Sequence, residues 1–185
     1  LGIAGVLLEP ASVLAKAWDH IDRIGARTAT WAPHRVLVTG AGPVGLLAAL
    51  MAVQRGHELH VFDRVTGGPK PDLVRELGGV YHGGDLAAVA DLAPDIVVEC
   101  TGASQVVLAM MQQSGRNAIV CLTGLSSAGR RLDLDVGGLN RSLVLQNDVV
   151  FGSVNANRAH YEMAATALAK PDPRWLMKMI TRRVP

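Results

Sequence analysis

The sequence predicts an α/β domain built on a doubly wound parallel sheet of six strands. Three observations carry the prediction. Short β-rich runs alternate with helix-patterned runs from one end of the chain to the other. The intervals between the strands suit crossover helices on both faces of a sheet. The chain has 185 residues, 49% of them hydrophobic and 18% charged, which fits one domain with ample core material and excludes disorder. With 4% aromatics, that core must be mostly Leu, Val, Ile, Ala and Met.

The elements follow in order. Val13, Leu14, Ala17, Ile21 and Ile24 recur at helical spacing over 9–24, and Gly25 stops that helix. Residues 28–33 connect to a strand at 35–39. A glycine turn at 40–45 leads into a buried helix at 46–53, ended by Gly56. The second strand is expected at 57–63, a helix around 72–77 and a weak strand at 80–82. A short helix at 86–92 precedes a fourth strand at 95–100. Then come a helix at 106–111, a strand at 118–122, a helix at 140–146 and a sixth strand at 149–153. A helix at 159–169 and a last helical face of Trp175, Leu176, Met179 and Ile180 close the chain. A single domain is expected over 1–185, with the sheet core about 34–155 and flanking helices at 9–24 and 158–180.

Composition excludes several classes. A formal charge of +2 is too small to argue for a nucleic-acid partner, although 170–185 hold five basic side chains against one acidic. The basic tail, Lys178 with Arg182 and Arg183, reads as a solvated helix end. Cys100 and Cys121 lie in apolar runs, too few for a disulfide framework and without the paired spacing of a zinc site. Two buried core thiols suit a reducing cytoplasm. No apolar run reaches the length of about 20 residues that spans a bilayer. The chain opens on Leu1 in mid-pattern, so a piece of a longer protein is expected.

The strongest chemical signal is Gly40-x-Gly42-x-x-Gly45. Alone the spacing is weak, because 20 glycines make chance matches plausible. Its context is specific: it follows a strand, opens a helix, and is answered by Asp63 at the end of the next strand, 18 residues after Gly45. Gly40 can take the angles of a tight turn, Gly42 leaves room for a pyrophosphate, and Gly45 lets helix and strand pack closely. Pro43 suits the first helical turn, and the amides around Val44 meet phosphates at the positive end of the helix. This is the Rossmann-type dinucleotide signature. Asp63 can accept from the adenosine ribose hydroxyls, which favours NAD, and Arg64 could stack on adenine or pair with a 2′-phosphate. The expectation is NAD preferred with NADP tolerated. No Gly-Lys-Ser or Gly-Lys-Thr is present for a P-loop, and Val38-Thr39 stands where a methyltransferase would carry an acid.

Thr101-Gly102, Thr123-Gly124 and Ser153-Val154-Asn155 each follow a strand, so they should gather on one edge as the nicotinamide half of the site. Asn155 and Asn157 add amides for sugar hydroxyls or the carboxamide. His20, His34, His57, His60, His82 and His160 show no metal spacing and are expected in ordinary surface or core positions.

Leu8-Glu9-Pro10 and the Val-Thr-Gly-Ala-Gly-Pro-Val-Gly turn resemble the nucleotide-binding half of zinc-dependent medium-chain dehydrogenases. The run Phe151-Gly152-Ser153-Val154-Asn155-Ala156-Asn157-Arg158, with the closing Ile180-Thr181-Arg182-Arg183, narrows this to a resemblance to glucose 1-dehydrogenases of the archaeal type. The resemblance implies oxidation of an aldose at C1, with hydride passing to NAD(P) and a catalytic zinc acting as Lewis acid. It implies that the main zinc ligands lie in a catalytic domain absent from this chain. By the same resemblance, the glycine turn, Asp63-Arg64, Leu122-Thr123-Gly124 and Ser153-Val154-Asn155 match cofactor positions, and Asn155 would also reach the sugar. Glu9 matches a position near zinc and substrate; it also reads as an acid favoured at a helix N-terminus. Val13 departs from relatives that carry an acid there for the sugar. Another zinc-dependent alcohol or polyol dehydrogenase, and a stand-alone dinucleotide-binding redox sensor, remain as alternatives. The partners expected are a sugar and a second copy pairing along the sixth strand, with no nucleic acid and no membrane.

Overall fold

The six apolar runs pair as six parallel strands. The computed structural model describes residues 2–129 and 131–181. The strands are β1 (Arg35–Thr39), β2 (Glu58–Asp63), β3 (Val80–Gly83), β4 (Ile96–Glu99), β5 (Ile119–Leu122) and β6 (Val149–Gly152). The helices are α1 (Leu8–Gly25), α2 (Pro43–Gln54), α3 (Pro69–Glu76), α4 (Ser104–Gln112), α5 (Val136–Gln146), α6 (Arg158–Leu168) and α7 (Pro173–Lys178). The strand order is β3-β2-β1-β4-β5-β6. The chain therefore winds outward from β1 to β3, then crosses to β4 and winds the other way. The switch point lies between β1 and β4, where such sheets open a crevice at the carboxyl ends of the strands.

Register sets those ends in one row. Thr39 lies opposite Phe62 and Glu99, Glu99 opposite Leu122, and Leu122 opposite Gly152. The residues that follow each strand, among them Gly40, Cys100, Thr123 and Ser153, consequently emerge along one edge.

Side chains alternate between two cores. Val36, Val38, Ile96, Val98, Ile119 and Cys121 face the larger one, with residues of α1, α2, α6 and α7. Leu37, Phe62, Val97 and Val120 face the smaller one, with Val106 and Met110 of α4 and Val89. Burial on both faces is why the central strands β1, β4 and β5 read as continuous apolar runs, whereas the edge strands β3 and β6 are only partly buried. Helix α2 lies between sheet and α1, and every residue from Gly45 to Ala52 is buried. That explains its lack of a polar stripe. No helix among the described residues is long and apolar enough to cross a membrane.

Several boundaries differ from expectation. A 3-10 turn (Gly2–Leu7) precedes α1. The expected helix at 86–92 is a single 3-10 turn, Leu86–Val89. Helix α5 starts four residues before 140, because the Asp135 side chain caps it by accepting from the Gly138 amide at 2.9 Å. The helix expected at 159–169 and the last helical face from Trp175 are α6 and α7, with α7 tied to α3 by the Trp175 indole N–H donating to the Leu73 carbonyl at 3.0 Å. Lys178 is the exposed last residue of α7, a solvated helix end as expected, and its ammonium pairs with the Glu76 carboxylate at 2.7 Å. Arg182 and Arg183 lie outside the described residues. Cys121 is buried in β5, whereas Cys100 is half-buried at the end of β4; burial pushes both thiols up to about 12.

Candidate dinucleotide site

The three glycines of the turn do separate jobs. Gly40 has φ 91°, a left-handed angle that glycine adopts without steric cost, and its amide donates to the Phe62 carbonyl at 2.7 Å. Gly42 caps α2 in extended backbone, φ −79° and ψ 179°, and a Cβ there would meet nothing within 4 Å. Its bareness therefore serves whatever occupies the crevice, not the fold. A Cβ on Gly45 would lie 1.7 Å from the Gly40 carbonyl oxygen, so its bareness serves helix–strand packing. Pro43 fills the first helical position, and the amides of Val44 and Gly45 lie in the first turn, where helices have no internal acceptor for them.

Asp63 closes the turn from the side. Its Oδ2 accepts from the Ala41 amide and the Lys70 ammonium, both at 2.7 Å. Its Oδ1 accepts from the Val65 amide at 2.9 Å. Burial pushes this carboxyl up, but the bonds from Lys70, Val65 and Ala41 outweigh it and hold the group below the usual carboxylate range. Sequence reasoning missed Lys70. It stands seven residues past the acid, on a helix whose start was expected later. A basic residue one loop beyond the acid was the available signal. Gly40, Gly42, Asp63, Arg64, Lys70 and Thr101 line one cleft of about 500 Å³.

The other strand ends are organised by Glu99, which the sequence reading treated as part of a strand. Glu99 is fully buried. Its Oε1 accepts from the Thr39 hydroxyl at 3.2 Å, from the Thr101 amide at 2.8 Å and from the Thr101 hydroxyl. Its Oε2 accepts from the Gly102 amide at 3.1 Å. Its backbone carbonyl accepts from the amides of Thr123 and Gly124 at 2.8 and 3.0 Å, and from the Thr123 hydroxyl at 2.8 Å. One residue thus ties the ends of β1, β4 and β5. A buried acid with only hydroxyls and amides around it leaves no sequence signature.

Farther along the edge, the Ser153 amide donates to the Leu122 carbonyl at 2.9 Å, and its buried hydroxyl has no partner among the described residues. Val154 and Asn155 are exposed, Asn155 at φ 61°, and Lys16 holds the Val154 carbonyl at 2.9 Å. Asn157 has a structural task. Its side chain caps α6 by accepting from the His160 amide at 3.2 Å, so it serves the helix start. Glu9 is exposed in the first turn of α1, and its backbone carbonyl accepts from the Ser12 hydroxyl at 2.7 Å.

The histidines make no metal centre, and among the described residues no group of three or more His, Cys, Asp or Glu could hold a metal ion. His60 instead lies between Glu58 and His82, at 2.7 and 2.9 Å. A larger groove of about 730 Å³ lies between α2, α3 and α7, away from the strand ends, and its acids Glu76 and Asp172 are paired with Lys178 and Arg174.

A glycine turn at the switch point of this strand order, with an acid ending the second strand, defines the dinucleotide-binding class of α/β domains. The family model described as "Glucose dehydrogenase C-terminus" matches residues 3–185, and the chain belongs to that family. It is 36% identical to a glucose 1-dehydrogenase of Methanocella arvoryzae, over 97% of this chain and 52% of that protein. It is 39% identical to glucose 1-dehydrogenase 2 of Vulcanisaeta moutnovskia, over 96% of this chain and 52% of that protein. The Haloferax mediterranei glucose dehydrogenase solved with NADP, Zn and gluconolactone superposes with a TM-score of 0.84 at 28% identity, covering 94% of this chain and 50% of that one. The chain spans about half the length of these relatives.

Proposed function

We propose that this chain is the cofactor-binding half of an aldose dehydrogenase that passes hydride from C1 of a sugar such as glucose to NAD(P), with NAD preferred and NADP tolerated. The observation that carries the reading is the open face of Gly42 above the first turn of α2, beside Asp63 in one cleft. The unpartnered, buried Ser153 hydroxyl fits a second polar contact farther along the same edge. The family membership and the Haloferax complex support the choice of NAD(P) and sugar.

The dinucleotide supplies the hydride acceptor when bound. The chain's own residues bind and orient it. The Val44 and Gly45 amides, at the positive end of α2, hold its pyrophosphate. Asp63 accepts from the adenosine ribose, with Arg64 beside it. Thr101-Gly102, Leu122-Thr123-Gly124 and Ser153-Val154-Asn155 form the nicotinamide side, set in place by Glu99. Asn155, and Glu9 on α1, are proposed to reach toward the sugar. The described residues do not fit zinc, so no step is assigned to it in this chain; its ligation belongs to the other half of such an enzyme.

Two further elements complete the proposal. The described sheet ends on β6, which could pair with a second copy. The free thiols suit a reducing cytoplasm. Calorimetric titration with NADH and an assay with glucose plus NAD test the central reading. Binding without turnover is expected from this chain alone. Robust zinc-dependent turnover by it would refute the division of labour, and absence of NADH binding would refute the site.

A further inference from the structure

We propose that Lys70 sets cofactor selectivity: its ammonium neutralises Asp63 when the adenosine ribose is unphosphorylated and serves as the cation for a 2′-phosphate when one is present. The inference rests on the dinucleotide reading of the cleft and assigns a residue that the glycine-turn signature does not contain.

Lys70 lies in position for the first of these roles, and its exposure leaves it free to turn toward the second. Its ammonium lies 2.7 Å from Asp63 Oδ2, and its side chain is 32% exposed, so one side of it remains open to the cleft. Asp63 keeps the Ala41 and Val65 amides as donors if Lys70 turns away, so the carboxylate is not stranded. Those amides are fixed by the backbone, whereas Lys70 moves on a flexible four-carbon stem. An acid alone at this corner would repel a 2′-phosphate, which carries about −1.5 to −2 charges. Asp63, Lys70 and Arg64 together carry one formal positive charge. The Lys70–Asp63 pair also occupies part of the carboxylate's capacity to accept from ribose hydroxyls. The corner is thus built for a compromise between the two cofactors.

The test separates this corner from the rest of the site. Calorimetry would compare adenosine 2′,5′-bisphosphate with 5′-AMP on the parent, Lys70→Met, Lys70→Arg and Arg64→Met, with a thermal melt of each. Lys70→Met should weaken the bisphosphate about tenfold or more while changing 5′-AMP less than about threefold, as loss of one charge-assisted bond predicts. Lys70→Arg should restore most of the loss, and added salt should shrink the parent's advantage. If Lys70→Met melts low, Lys70→Gln makes the same comparison. An unchanged ratio in a folded Lys70 variant, or the whole effect appearing in Arg64→Met, would overturn the assignment while the parent still binds NADH. Inorganic phosphate binding as tightly as the bisphosphate would overturn it too, by showing a general anion site. Failure of the parent to bind either NADH or NADPH would remove both this inference and the reading beneath it.

Discussion

Gly42→Val should separate binding from folding, and Gly45→Ala should do the reverse. At Gly42 the backbone is extended and the added side chain meets open space. The unfolded chain loses freedom, worth about 0.4–1 kcal/mol toward stability, while a helix start capped by valine loses a similar amount. Net stability should move by less than about 1 kcal/mol, or a few degrees in Tm. Valine projects where the pyrophosphate would reach the first turn of α2. Losing two charge-assisted bonds at about 1.5 kcal/mol each removes about 3 kcal/mol, a hundredfold in Kd. At Gly45 an added Cβ falls 1.7 Å from the Gly40 oxygen, so turn and helix must part. Overpacking of that kind costs about 1–3 kcal/mol and should lower Tm by about 3–10 °C. NADH titration by fluorescence beside a thermal melt reads both. Gly42→Val with the parent's melt and the parent's NADH affinity would refute the assignment of this turn and the chemistry built on it.

The remaining predictions concern charge. Asp63→Ala should weaken NAD by about tenfold as the ribose acceptor disappears, and should weaken NADP less or even tighten it, because Lys70 is released; equal losses in competitive titration would remove Asp63 from the ribose. Burial first, then the neighbouring Arg55 for His57 and the neighbouring His60 for His82, hold both below the ordinary imidazole range. The folded state therefore resists protons that the unfolded chain accepts. Their contribution is present above the unfolded imidazole value and lost as pH falls through the folded one. Melting temperature should drop between about pH 7 and 5, and His82→Gln should flatten that slope; an unaltered slope in the variant would exclude His82 as a source. Glu99→Gln should cost about 1–3 kcal/mol in urea unfolding, since one accepting oxygen becomes an N–H donor among buried amides and hydroxyls, and a change under about 0.5 kcal/mol would deny it a structural role.

How much of this was legible in the sequence depended on whether the signal was periodic or spatial. Runs such as Val36-Leu37-Val38 and Ile96-Val97-Val98 are buried on both faces, and all six strands lie within about two residues of their expected places. The turn and the place of Asp63 beside it were readable because both follow from spacing along one strand–turn–helix unit. Where glycines broke the pattern, the reading fell short: Gly137 and Gly138 hid the first turn of α5, whose start is fixed by Asp135. The capping task of Asn157 was not legible, because an asparagine side chain suits a ligand and a helix cap equally and the cap shows only in the His160 amide it accepts from. Lys70 left only the weak signal of a basic residue one loop beyond the acid, and Glu99 left none, because its acceptors serve hydroxyls and amides that carry no pattern.

The Glu99 knot has a consequence for how the crevice behaves in time. Loops at the ends of strands usually exchange their amide hydrogens quickly, since opening them costs little. Here the amides of Thr101, Gly102, Thr123 and Gly124 are all held by one buried residue, through its side chain or its carbonyl. Freeing either of the first pair leaves a buried amide and an acceptor oxygen of Glu99 short of a partner until water follows. Exchange at these four sites should therefore track the slow opening of β4 itself. In deuterium the β4–β5 side of the crevice should look like sheet, while the exposed Val154-Asn155 segment exchanges within the first time points.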